Sequence, residues 1–179
     1  LWQRPGSALE LRRKIRQRSV VTALFAAIIV LDQATKWWGW RHTSTAHINH
    51  GGDFLVGSTV GGWYADPVGG SLLDLLDVAL LSIAISILWR RRHSLAVLIS
   101  GCMMIGGWSS NLLDRLGLHY VTAPGSGRGA VDFIHIGQQY ANVADLFIIL
   151  GTPLLVVAVG ARYLAPQPAT DRPRLMASR

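Results

Sequence analysis

The chain has 179 residues, half of them hydrophobic and only 15% charged, with a mean hydropathy of +0.33; this excludes a disordered chain and argues against an ordinary soluble domain. Seventeen Lys and Arg stand against ten acids, nine of them Asp, for a formal net charge of +7. The basic residues gather in short blocks beside long apolar runs rather than over a polar face, which points to a membrane and away from nucleic acid as the partner.

Residues 1–18 are a basic segment holding Arg12, Arg13, Lys14, Arg16 and Arg18. The first apolar run, Ser19 to about Trp40, carries Asp32 and Lys36 near its end and no small-residue cleavage site, so it is expected to stay as a span rather than leave as a signal peptide. A connection over 41–71 follows, where Gly61-Gly62, Asp66-Pro67 and Gly69-Gly70 predict turns. The second run is Leu72–Trp89, and Arg90, Arg91 and Arg92 separate it from the third, Ser94 to about Leu113. The connection 114–140 contains Pro124-Gly125-Ser126-Gly127, and the fourth run is Ala141–Leu164, followed by a tail, 165–179, expected to be disordered. Each run can cross ~30 Å of hydrocarbon at about 1.5 Å per residue. Cys102, the single cysteine, lies inside the third run, which excludes an intrachain disulfide and a thiolate metal cluster.

The positive-inside rule assigns the N-terminal segment, Arg90–Arg92 and the tail with Arg172, Arg174 and Arg179 to the cytoplasm, and the two longer connections to the outside. The expected fold is an all-α integral membrane protein: four transmembrane helices, both termini cytoplasmic, small irregular extracytoplasmic loops, and one membrane domain over 19–164.

An ionisable group in the bilayer needs a partner, a wet cavity or a task. Asp32 and Lys36 share one helical face and can pair. Asn111 and Asp114, with Arg115 beside them, close the third span, and Asn142 and Asp145 open the fourth, where a carboxylate also has the plain role of favouring a helix N-terminus. Each pair alone reads as structural. Under the topology set by the basic residues, however, Asp32, Asp114, Asp132 and Asp145 converge at one depth, near the outer boundary. Two aspartates in a partly desolvated place share a proton, and such a pair hydrolyses a peptide bond: the carboxylate takes a proton from water while the carboxylic acid polarises the carbonyl.

At these residues the chain resembles the type II signal peptidases, the bacterial lipoprotein signal peptidases. The matching stretches are Asp32-Gln33-Ala34-Thr35-Lys36, Gly106-Gly107 through Asn111-Leu112-Leu113-Asp114-Arg115, Val131-Asp132-Phe133-Ile134, and Asn142-Val143-Ala144-Asp145 with Gly151. The resemblance implies a four-span aspartic endopeptidase without a cofactor or metal, in which Asp132 and Asp145 are catalytic. Asp32, Lys36, Asn49, Asn111, Asp114, Arg115 and Asn142 are then supporting or substrate-binding residues. It further implies a lipid-modified prolipoprotein as substrate, cut before a diacylglyceryl cysteine and approaching through the membrane lipids, and a monomer in the bacterial cytoplasmic (inner) membrane with its site on the extracytoplasmic side. The chain departs from the family pattern at Asp53 in Asn49-His50-Gly51-Gly52-Asp53-Phe54, at Ser110, Ala141 and Leu146, and in a first outer segment that is too short for the family's small sheet.

Other readings compete with this one. His42, His47 and His50 near Asp53 are candidate zinc ligands without a His-Glu-x-x-His helix. Ser109 or Ser110 with His119 would suit a serine protease but lacks a nucleophile turn. Asp74 and Asp77 read as helix-terminus acids or as a proton path. A paralogue that binds lipid-modified peptides, or assists another membrane complex without cutting, is the non-enzymatic alternative. The topology is testable with single cysteines in a Cys102→Ala background: positions near Gly61 and Gly127 should label from outside, and positions near Arg91 and in the tail from inside. Outside labelling at 91 would overturn both the topology and the site.

Overall fold

The structure is a computed structural model that describes residues 8–51, 58–90 and 93–164. Asp53 and the expectation of a disordered tail fall outside these residues. Four helices are long and apolar enough to cross a membrane, over Ile15–His42, Pro67–Trp89, Leu95–Thr122 and Val143–Leu164. The chain runs α1 (Ala8–His42), β1 (His47–Asn49), α2 (Ser58–Ala65), α3 (Pro67–Arg90), α4 (Leu95–Leu113), a π-helical turn (Asp114–Leu118), α5 (His119–Thr122), β2 (Ala130–Asp132), β3 (Ile134–Ile136), β4 (Gln139–Ala141) and α6 (Val143–Leu164).

Burial is inverted relative to a water-soluble protein. Asp32, Lys36, Asp114 and Asp132 are 0% exposed, whereas Leu75 and Val157 are 66% and 67% exposed, so the solvent this surface suits is lipid. Helix α4 is the centre against which α1, α3 and α6 pack. Small residues set the spacing: a Cβ on Gly107 would run into the Ala144 carbonyl oxygen, and one on Gly151 would lie 2.6 Å from the Met104 nitrogen.

Helix α1 begins at Ala8, well before the expected Ser19, and two further span boundaries differ from the sequence reading, each for a local reason. Helix α3 starts at Pro67 rather than Leu72, because Asp66 Oδ2 accepts from Gly69 N at 2.6 Å and proline suits a first helical position. Asp66-Pro67 is a helix start as well as a turn signal. The third span continues past Leu113 through the π-helical turn, where Gly117 at φ +121° takes a backbone conformation that a side chain would oppose.

The two connections expected to be small and irregular also hold short ladders, and the first of them, expected to be too short for the family's small sheet, contributes a strand. β1 pairs antiparallel with β2, His47 opposite Asp132 and Asn49 opposite Ala130. β3 and β4 form a hairpin with Gly137 (φ +63°) in its turn. The ladders join where Phe133 N donates to Ala141 O at 3.0 Å. Three residues suffice because Gly129, at φ +155°, lies where a Cβ would be 2.6 Å from the Asn49 carbonyl oxygen.

The α4–α6 contact makes a prediction. Gly107→Ala should destabilise the protein by about 1–3 kcal/mol through overpacking, seen as a lower thermal midpoint in detergent. An unchanged midpoint would mean that α6 is not seated on α4 as described.

Candidate active site

Asn142 is the N-cap of α6, and its position follows from local chemistry. Its Oδ1 accepts from Asp145 N at 3.0 Å while Asp145 Oδ2 accepts from Asn142 N at 3.0 Å, a reciprocal capping box that fixes both side chains at the helix start. The remaining Asn142 group, Nδ2, donates to Asp132 Oδ1 at 2.6 Å. One amide thus holds two aspartates from different elements. Asn49 Nδ2 donates to Asp132 Oδ2 at 2.9 Å, and Asn111 Nδ2 donates to Asp145 Oδ1 at 2.9 Å.

Behind this pair lies an ionic group. Lys36 Nζ contacts Asp32 Oδ2 at 2.6 Å and donates to Asp114 Oδ2 and Asn111 Oδ1, each at 2.7 Å. Asp32 also accepts from Ser110 Oγ and from Ala144 N, each at 2.7 Å, so α1 is bound to both α4 and the first turn of α6. The chain of contacts Asp32, Lys36, Asn111, Asp145, Asn142, Asp132, Asn49 is continuous.

The buried and half-buried carboxylates at this end of the spans sort by partner. Asp32 and Asp114 sit on the Lys36 ammonium. Asp74 and Asp77 sit on arginines: Arg115 Nε contacts Asp74 Oδ1 at 2.8 Å, Arg115 Nη2 contacts Asp77 Oδ2 at 2.7 Å, and Arg128 also pairs with Asp74. Asp132 and Asp145 have neutral amides as their hydrogen-bond partners. A carboxylate on a cation is held as an anion, whereas one on neutral donors can trade a proton. Asp132 is fully buried, and this burial pushes its carboxyl above the ordinary carboxylate range against the opposing pull of the Asn49 and Asn142 amides. Asp145 is half-buried. The geometry therefore singles out the two aspartates suited to acid–base work.

The family profile of signal peptidase (SPase) II matches residues 24–160. The chain belongs to the signal peptidase II family. The lipoprotein signal peptidase of Acinetobacter baumannii is 33% identical over 150 residues, covering 72% of this chain and 76% of that protein. The protein of the same name from Acinetobacter baylyi is 31% identical over 150 residues, covering 72% and 75%. That from Streptococcus agalactiae is 24% identical over 156 residues, covering 80% and 93%.

Within this signal peptidase II chain, most of the residues singled out from sequence come together: Asp32, Lys36, Asn49, Asn111, Asp114, Asp132, Asn142 and Asp145 form the one network. Arg115 does not join it. The π-helical turn sends Asp114 toward α1 and Arg115 toward α3, so Asp74 and Asp77, read from sequence as helix-terminus acids or a proton path, are the partners of Arg115. The candidate zinc histidines face separate partners: His42 Nδ1 meets Trp38 O at 2.8 Å, His47 lies edge-on to Tyr140 at 4.3 Å, and His50 Nδ1 meets Arg128 O at 2.8 Å. Ser110 serves Asp32, and His119 Nδ1 meets the Asp114 carbonyl at 2.6 Å, so they do not make a nucleophile and base.

Sequence reasoning missed Arg128 and Tyr64. Arg128 Nη1 donates to Tyr64 O at 2.6 Å, and Tyr64 Oη donates to Asp77 Oδ2 at 3.1 Å, which ties α2 to α3. Burial, with the nearby Asp77 charge, pushes the Tyr64 hydroxyl above its ordinary range. The available signal was charge arithmetic: two acids at the start of the second span and two arginines in the outer connection call for each other.

Lys36→Met should cost about 3–5 kcal/mol of stability, because Asp32 and Asp114 then remain buried without their cation. Asp32→Ala should be at least as damaging as Asp114→Ala, since Asp32 also satisfies Ser110 and the Ala144 N–H. Folded yield and thermal midpoint check both, and a Lys36→Met protein as stable as wild type would remove the network from its structural role.

Proposed function

We propose that this chain hydrolyses the bond before the lipid-modified cysteine of bacterial prolipoproteins, with Asp132 and Asp145 as its catalytic pair. The single observation that carries the assignment is the bridging Asn142, which binds one carboxylate through its side-chain N–H and caps the helix that bears the other. Between them the two groups hold one proton, and a water bound to the ionised carboxylate loses a proton to it while attacking the scissile carbonyl carbon. The protonated carboxyl donates toward the carbonyl oxygen, where charge develops. Collapse of the tetrahedral adduct breaks the C–N bond, and the proton taken from water passes to the departing amine of the lipidated cysteine. No covalent intermediate forms.

Asn49, Asn111 and Asn142 are positioning residues in this scheme, and Lys36 acts one step further back by fixing the Asn111 amide so that its N–H faces Asp145. Asp32 and Asp114 hold Lys36, and Arg115 fixes the outer end of α3. The extracytoplasmic side suits the site because the basic segments mark the other end of every span. The same rule supports cytoplasmic termini and residence in the bacterial inner membrane. The network from Asp32 to Asn49 is complete within one chain, which supports a monomer. A lipid-anchored substrate meets such a site from the surrounding membrane lipids.

Asp132→Asn and Asp145→Asn should each abolish hydrolysis of a diacylglyceryl-modified prolipoprotein while leaving expression and lipopeptide binding in place, because an amide cannot cycle between acid and base. The double variant should be little worse than either single one. Activity should fall at low pH, as the base becomes protonated, and again at high pH, as the shared proton is lost. Burial of Asp132 raises its carboxyl, so the alkaline fall should lie above the ordinary carboxylate range. Substantial turnover by either Asn variant, measured by mass spectrometry of the released peptide, would refute the assignment.

A further inference from the structure

At the end of the molecule opposite the catalytic pair, α1 continues as one helix well beyond what a bilayer needs. Its 35 residues, Ala8–His42, span about 52 Å at 1.5 Å per residue, against ~30 Å of hydrocarbon. The interfacial markers fix where the excess lies. Trp37 and Trp38 are exposed near the outer end, and at the other end the Arg18 guanidinium carbon lies 5.2 Å from the Trp89 ring centroid. From Arg18 to Trp38 is twenty residues, about 30 Å of helix. What precedes Arg18 therefore lies in and beyond the headgroup layer.

That stretch has the surface of an interfacial helix. Leu11 and Ile15, four apart on one face, are 59% and 56% exposed. Arg12 and Arg16, also four apart, are exposed on one flank of that stripe, and helical periodicity puts Arg18, seven residues after Leu11, on the stripe's own face at its membrane end. Arg16 and Arg12 stand about 3 Å and 9 Å of helix rise past Arg18, the depth of the lipid phosphates and of their outer edge. Three arginines stepping outward from the hydrocarbon edge match a surface that is apolar below and anionic above.

We propose that the Arg12–Arg18 segment of α1 is a binding surface for anionic phospholipid, with Arg18 and Arg16 on headgroup phosphates and Arg12 at their outer edge. The Arg18–Trp89 contact gives the site a second wall from α3 and turns a run of charges into a place. The surface is remote from Asp132 and Asp145 and does not depend on their assignment.

The full-length protein, purified in neutral detergent and offered equimolar phosphatidylglycerol and phosphatidylcholine, should retain phosphatidylglycerol preferentially by native mass spectrometry. Each charge removed among Arg12→Gln, Arg16→Gln and Arg18→Gln should weaken that retention roughly fivefold, and the triple variant on the order of a hundredfold. Arg12→Lys with Arg16→Lys should keep the preference, and added salt should erode it. Equal retention of both lipids, or a preference that survives the triple variant with its fold intact by circular dichroism, would overturn the proposal. So would displacement of the lipid by millimolar inorganic phosphate, which would make the ligand a free anion. Prolipoprotein cleavage in neutral detergent should be unchanged in the triple variant; an inactive wild-type protein that still selects phosphatidylglycerol would sink the catalytic reading and leave this one standing.

Discussion

The buried ammonium of Lys36 is the interaction on which the rest of this structure depends. It is fully enclosed, and its contacts run to its own helix through Asp32 and to α4 through Asn111 and Asp114. Asp32 extends the tie to α6 by accepting from the Ala144 N–H, in the first turn of that helix, where the helix dipole favours a negative charge. One cation therefore fixes the relative register of three spans. A buried ion pair is a poor source of stability against well-packed apolar side chains, because desolvation offsets most of the attraction. Its effect here is selective: any register that separates Lys36 from its carboxylates leaves charges stranded in lipid, so competing packings of apolar helices are disfavoured far more than the native one is stabilised.

The same logic separates the carboxylates held by cations from those held by neutral amides. Among the described residues, four buried aspartates are held by Lys36, Arg115 or Arg128, and Asp132 and Asp145 by amides. Asparagine is the suitable holder for a group that must change protonation, because its N–H donors fix a carboxyl without adding the charge that would pin it in one state. Asn142 does this at little conformational cost: the helix cap that orients it is needed by α6 in any case. One residue serves both the helix cap and the two aspartates, so their placement is as rigid as the helix start.

How much of this was legible in the sequence follows from which forces leave a local trace. The spans were, because ~30 Å of hydrocarbon imposes a length on each helix and the basic blocks mark one face. The coming together of Asp32, Lys36, Asn111, Asp114, Asp132, Asn142 and Asp145 was legible because ionisable residues are rare enough in a membrane that their convergence is informative. The partner of Arg115 was not: whether a side chain at the end of a helix points to α1 or to α3 is decided by the π-helical turn at Asp114–Leu118, and an added residue per turn has no composition of its own. The start of α3 was misplaced because Asp66-Pro67 is compatible with a turn or with a cap, and only the bond from Gly69 N distinguishes them. The β1–β2 ladder escaped because three-residue strands carry no period.

That ladder explains how the first connection serves the site. What Asp132 takes from this segment is one amide donor on its Oδ2, the oxygen that Asn142 does not bind, and not a sheet as such. In an antiparallel pair, alternate residues point to one face, so with His47 opposite Asp132 the side chain of Asn49 lies diagonally beside it, within reach of Oδ2. The return of the chain after Asn49 is tight, with Gly51 N donating back to Asn49 Oδ1 at 2.9 Å, which fixes the amide so that its N–H group faces the carboxylate. Gly129 lets β2 come close enough for the diagonal to close. Two glycines and three paired residues therefore supply the one donor that Asp132 takes from this segment.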